Sequence, residues 1–471
     1  MTAVGLLYDS VSNNTGDVAI GLLIQRALDR ASVPYRVVDP FQPETSDLAA
    51  LIIGGGEIIR APGHYFYDAF RVPGAHILNT PGVIDGSSTA YLDDYRLVTA
   101  RSHTDVLKLG HPAATTVPCL TLLYEDYLPD DAPPPFEVPP GAVGVHLTSN
   151  FHEHALDFVA LLRREGIGPI VWLPVTYYNE DRTLMQALAK HVPGSIVAPP
   201  MPADAVFRTI GQLSGLITLS LHATLFAYTQ GVPFLSMASP DKIGYFLTER
   251  GLQHRLFLNT ADIAERLPYL TTAADITTRP ADWERCRTAL ESIITHAQAA
   301  LTEGPTPITI PPTHRHAYDT EMAFRRSATH MATTLLDRMA HTEFEHIPAL
   351  ENLARRWKTR IEATPLAPLY TQARRIKANL EGTDPHPPAN PAYANHLAHH
   401  QPPAEPAAAP AVVIPIADLT AERIARTNAD FIIPLPPYQT LHPDAAALLP
   451  HPTADIVYSD YDHLNTEGHR T

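Results

Sequence analysis

Short apolar runs alternate with amphipathic stretches through the first 300 residues. Runs at 3–8, 35–39, 48–53, 75–78, 96–100, 142–146, 170–173, 194–197, 216–219 and 233–236 have the length and composition of strands. The stretches between them, at 18–31, 102–109, 154–165, 181–190, 203–213, 223–230 and 243–249, read as helices. Strand–helix alternation of this kind produces a parallel sheet flanked by helices. A Pro-rich segment at 129–140 interrupts it once, and the same pattern then resumes. The expectation is α/β: two doubly wound, Rossmann-type domains, 1–130 and 141–300, facing each other across a cleft.

Beyond residue 312 the pattern changes. Residues 313–382 are charged and rich in Ala, Arg, Glu and Leu, with breaks at Pro348, Pro365 and Pro368, and predict a helical extension of two or three helices. Residues 383–410 carry Pro, Ala and His with little to form a core, which predicts a disordered or polyproline-like linker. Apolar runs at 412–416, 431–435 and 455–459 mark the last segment, 411–471, as an incomplete α/β tail.

Composition sharpens this division. The 46 prolines among 471 residues are about twice the usual ~5%, and many fall at 129–140 and 383–410, the joints between modules. Lys and Arg total 34 against 50 Asp and Glu, a formal charge of −16, which opposes binding of nucleic acid or anionic lipid by overall charge. Two cysteines, Cys119 and Cys286, are too few for a disulfide framework and lack zinc-site spacing, so the cytoplasm is the expected compartment. The first residues lack the basic region of a signal peptide. Residues 215–237 carry no Asp, Glu, Lys or Arg. Their Thr, Ser, His and Gln residues and the Gly231-Val232-Pro233 break predict a buried strand, helix and strand in place of a membrane span.

Three strand ends combine small or polar residues with a following helix, where backbone N–H groups and the helix dipole favour an anion. The first is the loop 9–17, in which Gly16 permits close backbone approach and Asn14 and Asp17 can cap the helix or contact a ligand. The second is Gly54-Gly55-Gly56, which reads either as a tight turn or as a place where ligand touches main chain. The third is 218–223, with His222 at the C-terminal end of a strand and Lys242 on the loop after the next strand, able to serve as a phosphate or carboxylate ligand. His152 and His154, at i and i+2, share no helix face and read as a solvated helix start; no metal site is expected. The Arg-rich run at 355–360 reads as a charged helix face, open to peripheral contact with a membrane surface or an anionic glycan.

Taken in order, these residues resemble the polysaccharide pyruvyltransferase family over about 1–260. The resemblance rests on Asn14-x-Gly16-Asp17 opening a helix, Ile52-Ile53-Gly54-Gly55-Gly56, Arg101-Ser102, Leu221-His222-Ala223, Gly231-Val232-Pro233 and Asp241-Lys242 with Phe246-Leu247. It implies a GT-B-like pair of domains and transfer of a pyruvyl ketal from phosphoenolpyruvate to a sugar or glycan, with no redox cofactor or metal. It also implies His222 as acid/base, Lys242 and Arg101 as anion ligands, and backbone donors from 14–17 and 54–56. Two positions depart from the family pattern. Ser220 stands where the family has Arg, so the donor site is either rebuilt with another Arg, such as Arg60 or Arg71, or lost; Pro118-Cys119 stands where the family has Pro-Asp.

The tail resembles the central part of a GT-A-type glycosyltransferase family at 429–435, 441–445 and 454–462, with 436–439 in place of that family's acidic cluster. That implies a degenerate remnant or a docking module. Two other functions fit the same sequence: a glycosyltransferase using a nucleotide-sugar in the same cleft, and a non-catalytic scaffold that binds a glycan or a partner.

Overall fold

The structure, a computed structural model of the chain, describes residues 2–41, 47–238, 241–274, 276–341, 411–415 and 431–435. The chain divides into two units, Met1–Phe344 and Glu345–Thr471. In the first unit, β1 (Ala3–Leu7), β2 (Tyr35–Val37), β3 (Leu48–Gly54), β4 (Ile77–Asn79), β5 (Leu97–Ala100) and β6 (Thr115–Thr116) form a sheet of order β2-β1-β3-β4-β5-β6. Every pairing in it is parallel. Helix α1 (Thr15–Arg30) follows β1, and α2 (His103–Leu109) follows β5.

A second parallel sheet combines β7 (Val143–His146), β8 (Ile170–Trp172), β9 (Ile196–Val197), β10 (Gly215–Thr218), β11 (Phe234–Met237) and β12 (Leu256–Phe257) in the order β12-β11-β10-β7-β8-β9. Its helices are α3 (Ala155–Arg164), α4 (Asp181–Ala189), α5 (Ala203–Ile210), α6 (Leu221–Gln230), α7 (Asp241–Thr248) and α8 (Thr260–Arg266). The fold is therefore the pair of doubly wound, Rossmann-type α/β halves that the alternation predicted and that the family resemblance implied as GT-B-like. Sequence reading missed β6 and β12, each only two residues long.

Strand order fixes where a ligand can bind. In the first sheet β1 lies between β2 and β3, and in the second β7 lies between β8 and β10, so the winding direction reverses at β1/β3 and at β7/β10. At such switch points the loops leaving the two strands diverge and open a crevice at the carboxyl ends. The loops after β1, β3 and β10 are the three that the sequence singled out.

The uncharged stretch is β10, α6 and β11, all buried. Helix α6 is uncharged and buried along nearly its whole length because it lies in a core shared by the two sheets: Leu23 and Ala27 of α1, Phe207 of α5, Phe226 of α6 and Tyr124 belong to one cluster of buried side chains. Arg26 of α1 is doubly hydrogen-bonded to Asp204 of α5 at 3.0 and 2.6 Å, and Tyr124 donates to the same carboxylate at 2.6 Å. The Pro-rich joint lies against the second sheet's helices, where Arg208 donates to the Ala132 carbonyl and the Phe136 amide to Thr209.

After the second sheet the chain returns to the first. Helix α9 (Arg279–Glu303), which the sequence reading did not single out, packs on β1, β3, β4 and β5, and Glu303 pairs with Arg96. Helix α10 (Arg315–His341) touches both halves. Near its start Tyr318 packs on Phe41 and Phe66, and further on Thr329 donates to the Asn179 carbonyl at 2.7 Å. Two or three helices were expected over 313–382; α10 is the one described there, and 342–382 and the 383–410 linker lie outside the described residues. In the second unit, β13 (Ala411–Pro415) and β14 (Phe431–Leu435) pair in parallel; the run at 455–459 lies outside the described residues. No helix among the described residues is long and apolar enough to cross a membrane.

Candidate active site

The loop after β1 turns on Asp9, which accepts the amides of Val11 at 3.3 Å and Ser12 at 3.0 Å. Asn14 then caps α1: its Oδ1 accepts the Gly16 amide at 3.3 Å, and its Nδ2 donates to Asp17 Oδ2 at 2.8 Å. The Thr15 amide donates across to the Val175 carbonyl of the second half at 3.3 Å. Gly16 has a packing reason: a Cβ there would fall 1.7 Å from His222 Nδ1, so the imidazole rests against bare backbone.

Gly54, Gly55 and Gly56 all have positive φ, at 123°, 82° and 74°. Side chains there would meet the Asn79 carbonyl, Ile20 and Asp17, so the turn is pressed against β4 and α1. Its Gly55 amide donates to the Asn79 carbonyl at 2.9 Å. Much of the backbone-donor capacity expected at 14–17 and 54–56 is thus committed within the protein.

The charged centre is Glu57, directly after that turn. It accepts from Arg101 Nη2 at 2.9 Å and from Lys242 Nζ at 2.7 Å, so cations from the two halves meet on one carboxylate. Burial would raise the Glu57 carboxyl, but the Lys242 and Arg101 charges outweigh it and hold it near 2. Arg101 lies flat against Gly82, where a Cβ would fall 2.1 Å from Nη2, and its Nε is 3.5 Å from Asp105. Ser102 caps α2 by accepting the Asp105 amide at 3.0 Å.

Ser220 occupies the helix cap of α6, accepting the Ala223 amide at 3.3 Å. This explains a hydroxyl at that position: a short acceptor satisfies an orphan N–H that a guanidinium cannot. The cations acting on His222 are Lys242 and, more weakly, Arg101. Arg71 is committed to the Arg60 carbonyl and Ser88, and Arg60 lies over the Tyr67 ring at 3.9 Å and donates to the Glu57 carbonyl.

His222 is buried, and its Nε2 stands 3.8 Å from Cys119 Sγ. Burial, and then the charges of Lys242 and Arg101, lower its proton affinity to about 3, so the ring is a neutral imidazole near pH 7. Burial pushes the Cys119 thiol up, so it too stays uncharged. Asp17 moves the opposite way: burial and the neighbouring Asp9 charge raise it to about 7 against the pull of Lys242.

The structure therefore gathers Asn14, Gly16, Asp17, Gly54–Gly56, Arg101, Ser220, His222 and Lys242 around Glu57 and the His222 ring. Sequence reasoning missed Glu57, Asp9 and the Cys119 contact. A carboxylate directly after a glycine turn at a strand end was the available signal for Glu57; Cys119 stood out only as a departure from the family's Pro-Asp, and its contact with His222, 103 residues away, has no local signal. No group of three or more His, Cys, Asp or Glu placed to hold a metal occurs among the described residues.

The family model described as polysaccharide pyruvyl transferase matches residues 14–241. None of the curated proteins compared with the chain matches it. Among solved structures, the S. aureus MnaA–UDP complex is 10% identical and covers 67% of this chain and 100% of its own, with a TM-score of 0.43. The UDP-GlcNAc 2-epimerase of Methanocaldococcus jannaschii, in complex with UDP-GlcNAc and UDP, is 9% identical over 61% of this chain and 98% of its own, at 0.37. The E. coli heptosyltransferase WaaC with ADP-2-deoxy-2-fluoro heptose is 16% identical over 51% and 89%, at 0.25. The matched residues 14–241 hold the α1 cap, the glycine turn, Glu57, Arg101 and His222, and over that region the chain carries the polysaccharide pyruvyl transferase family pattern.

Proposed function

We propose that the crevice transfers a pyruvyl ketal from phosphoenolpyruvate to a sugar or glycan in cell-surface polysaccharide synthesis, in the cytoplasm. The observation that carries this reading is the meeting of Lys242 and Arg101, from opposite halves, on Glu57 close to His222; Arg101, Glu57 and His222 lie within the region that matches the family, and Lys242 directly follows its end. A guanidinium has five N–H donors and an ammonium three, so one bridging Glu57 leaves both cations with donors for a phosphate and a carboxylate. Bound anions would also offset the charges that depress His222, allowing its imidazole to accept the proton of an attacking sugar hydroxyl.

The expected outcome is that phosphoenolpyruvate raises the melting temperature of the full chain, and that His222→Ala abolishes pyruvylation, lowering turnover by about 10²–10⁴. A shift with a nucleotide-sugar and none with phosphoenolpyruvate would favour glycosyl transfer; no shift with either would favour a non-catalytic scaffold.

A further inference from the structure

We propose that Asp17 is the proton donor of this transfer, delivering its proton to the methylene carbon of phosphoenolpyruvate while His222 takes the proton of the acceptor hydroxyl. The inference rests on the pyruvyl-transfer reading.

Its first support is geometric. Asp17 sits one residue after Gly16, the backbone on which the His222 ring rests, so carboxyl and imidazole are brought to one place from opposite halves. Asn14 fixes Oδ2 through a 2.8 Å hydrogen bond. The other oxygen, Oδ1, packs against Gly56, where a Cβ would fall at 2.9 Å, so the glycine turn after β3 is what lets the carboxyl sit between α1 and Glu57.

The second support is the division of protons. The groups that bear on Asp17 are Asp9 after β1, Glu57 after β3, Lys242 on α7 and Asn14, with the Tyr67 and Tyr178 phenols also in range. Burial is the largest influence, Asp9 and Glu57 add to it, and Lys242 and Asn14 oppose it, leaving the carboxyl at about 7. His222, lowered to about 3, holds no proton near pH 7. Cys119, Tyr67 and Tyr178 keep theirs too tightly, since burial raises all three. Among these groups Asp17 alone is both protonated in part and able to release its proton.

The step balances. The C=C electron pair forms the new C–H bond with the Asp17 proton, and the first hydroxyl oxygen bonds to the adjacent carbon, its proton passing to His222. The C–O bond to phosphate then breaks with its electron pair, and the His222 proton leaves with the phosphate. The second hydroxyl closes the ketal and returns its proton to Asp17. One phosphoenolpyruvate and one diol give one ketal and one phosphate.

The test follows phosphate release from phosphoenolpyruvate with a panel of methyl hexosides as acceptors, in the full chain. Asp17→Asn, checked for folding by its melting curve, is expected to lower turnover about 10²–10⁴-fold. In the wild type, turnover falls as pH rises through about 7, where Asp17 loses its proton. Asp9→Asn removes a like charge, lowers the Asp17 proton affinity, and moves that limb to lower pH. Turnover of Asp17→Asn within tenfold of wild type, or a basic limb that Asp9→Asn leaves in place, overturns the assignment while pyruvyl transfer stands. No release of phosphate by the wild type overturns the transfer reading and the assignment with it.

Discussion

The two switch points of the molecule are topological equivalents built to opposite ends. At β1/β3 the loop after β1, the first turn of α1 and the loop after β3 bring Asp9, Asp17 and Glu57 close together, with Glu57 answered by Arg101 and Lys242. At β7/β10 the strand end carries His146, wholly buried, 3.1 Å from Asp181 and 3.2 Å from Thr218. Asp181 also accepts the amides of Val175 at 2.9 Å and Thr176 at 2.7 Å. Burial would raise its carboxyl, but His146 and those amides outweigh burial and lower it. One site gathers opposite charges from the two halves on Glu57; the other ties one carboxylate oxygen of Asp181 to a histidine, a threonine and main-chain amides of its own half. Placement at a switch point is thus permissive, and the partners of each polar atom decide whether it serves ligand or fold.

The largest effect expected from breaking this contrast is at Gly16. Gly16→Ala drives a methyl into the His222 ring, which should displace the imidazole, cost about 1–3 kcal/mol by overpacking and lower turnover at least tenfold. Denaturant melts and phosphate release measure the two. On the sealed side, Asp181→Asn should cost about 1–3 kcal/mol in denaturant melts, because buried donors lose a charged acceptor, yet leave phosphoenolpyruvate affinity within about threefold. The wild-type Asp181 contribution is present above its unfolded carboxylate range and fades as pH falls through its lowered native value, so the gap between the two proteins should narrow in acid. The smallest effect is a retuning. Cys119→Asp puts a carboxylate beside Nε2, favours the imidazolium and raises His222 above its value of about 3, readable as an upward-shifted imidazole titration by NMR.

Most of the sheet was legible because its strands are continuous apolar runs, and the charge-free 215–237 stretch announced β10, α6 and β11. The short edge strands β6 and β12 were not, since two residues carry no periodicity. The return of α9 to the first sheet was equally hidden: its partners β1 and β3 lie more than 200 residues earlier in the chain. In the crevice, glycines and helix caps leave local signatures, which is why Asn14, Gly16, Gly54–Gly56 and Ser220 could be named. The division of labour could not be read, because Glu57, Lys242 and Arg101 become one ion-paired group only when the halves meet. The same holds for the protonation of His222, which burial and cations from both halves keep neutral near pH 7.

The central claim is that cations from the two halves form the anion site. Calorimetric titration of phosphoenolpyruvate into the wild type and Lys242→Ala at pH 7.5 tests it most directly. The account predicts saturable binding that Lys242→Ala weakens about 10–100-fold, the loss of one charge-assisted contact. Binding that survives Lys242→Ala unchanged, or no binding of phosphoenolpyruvate where a nucleotide-sugar binds, would contradict it.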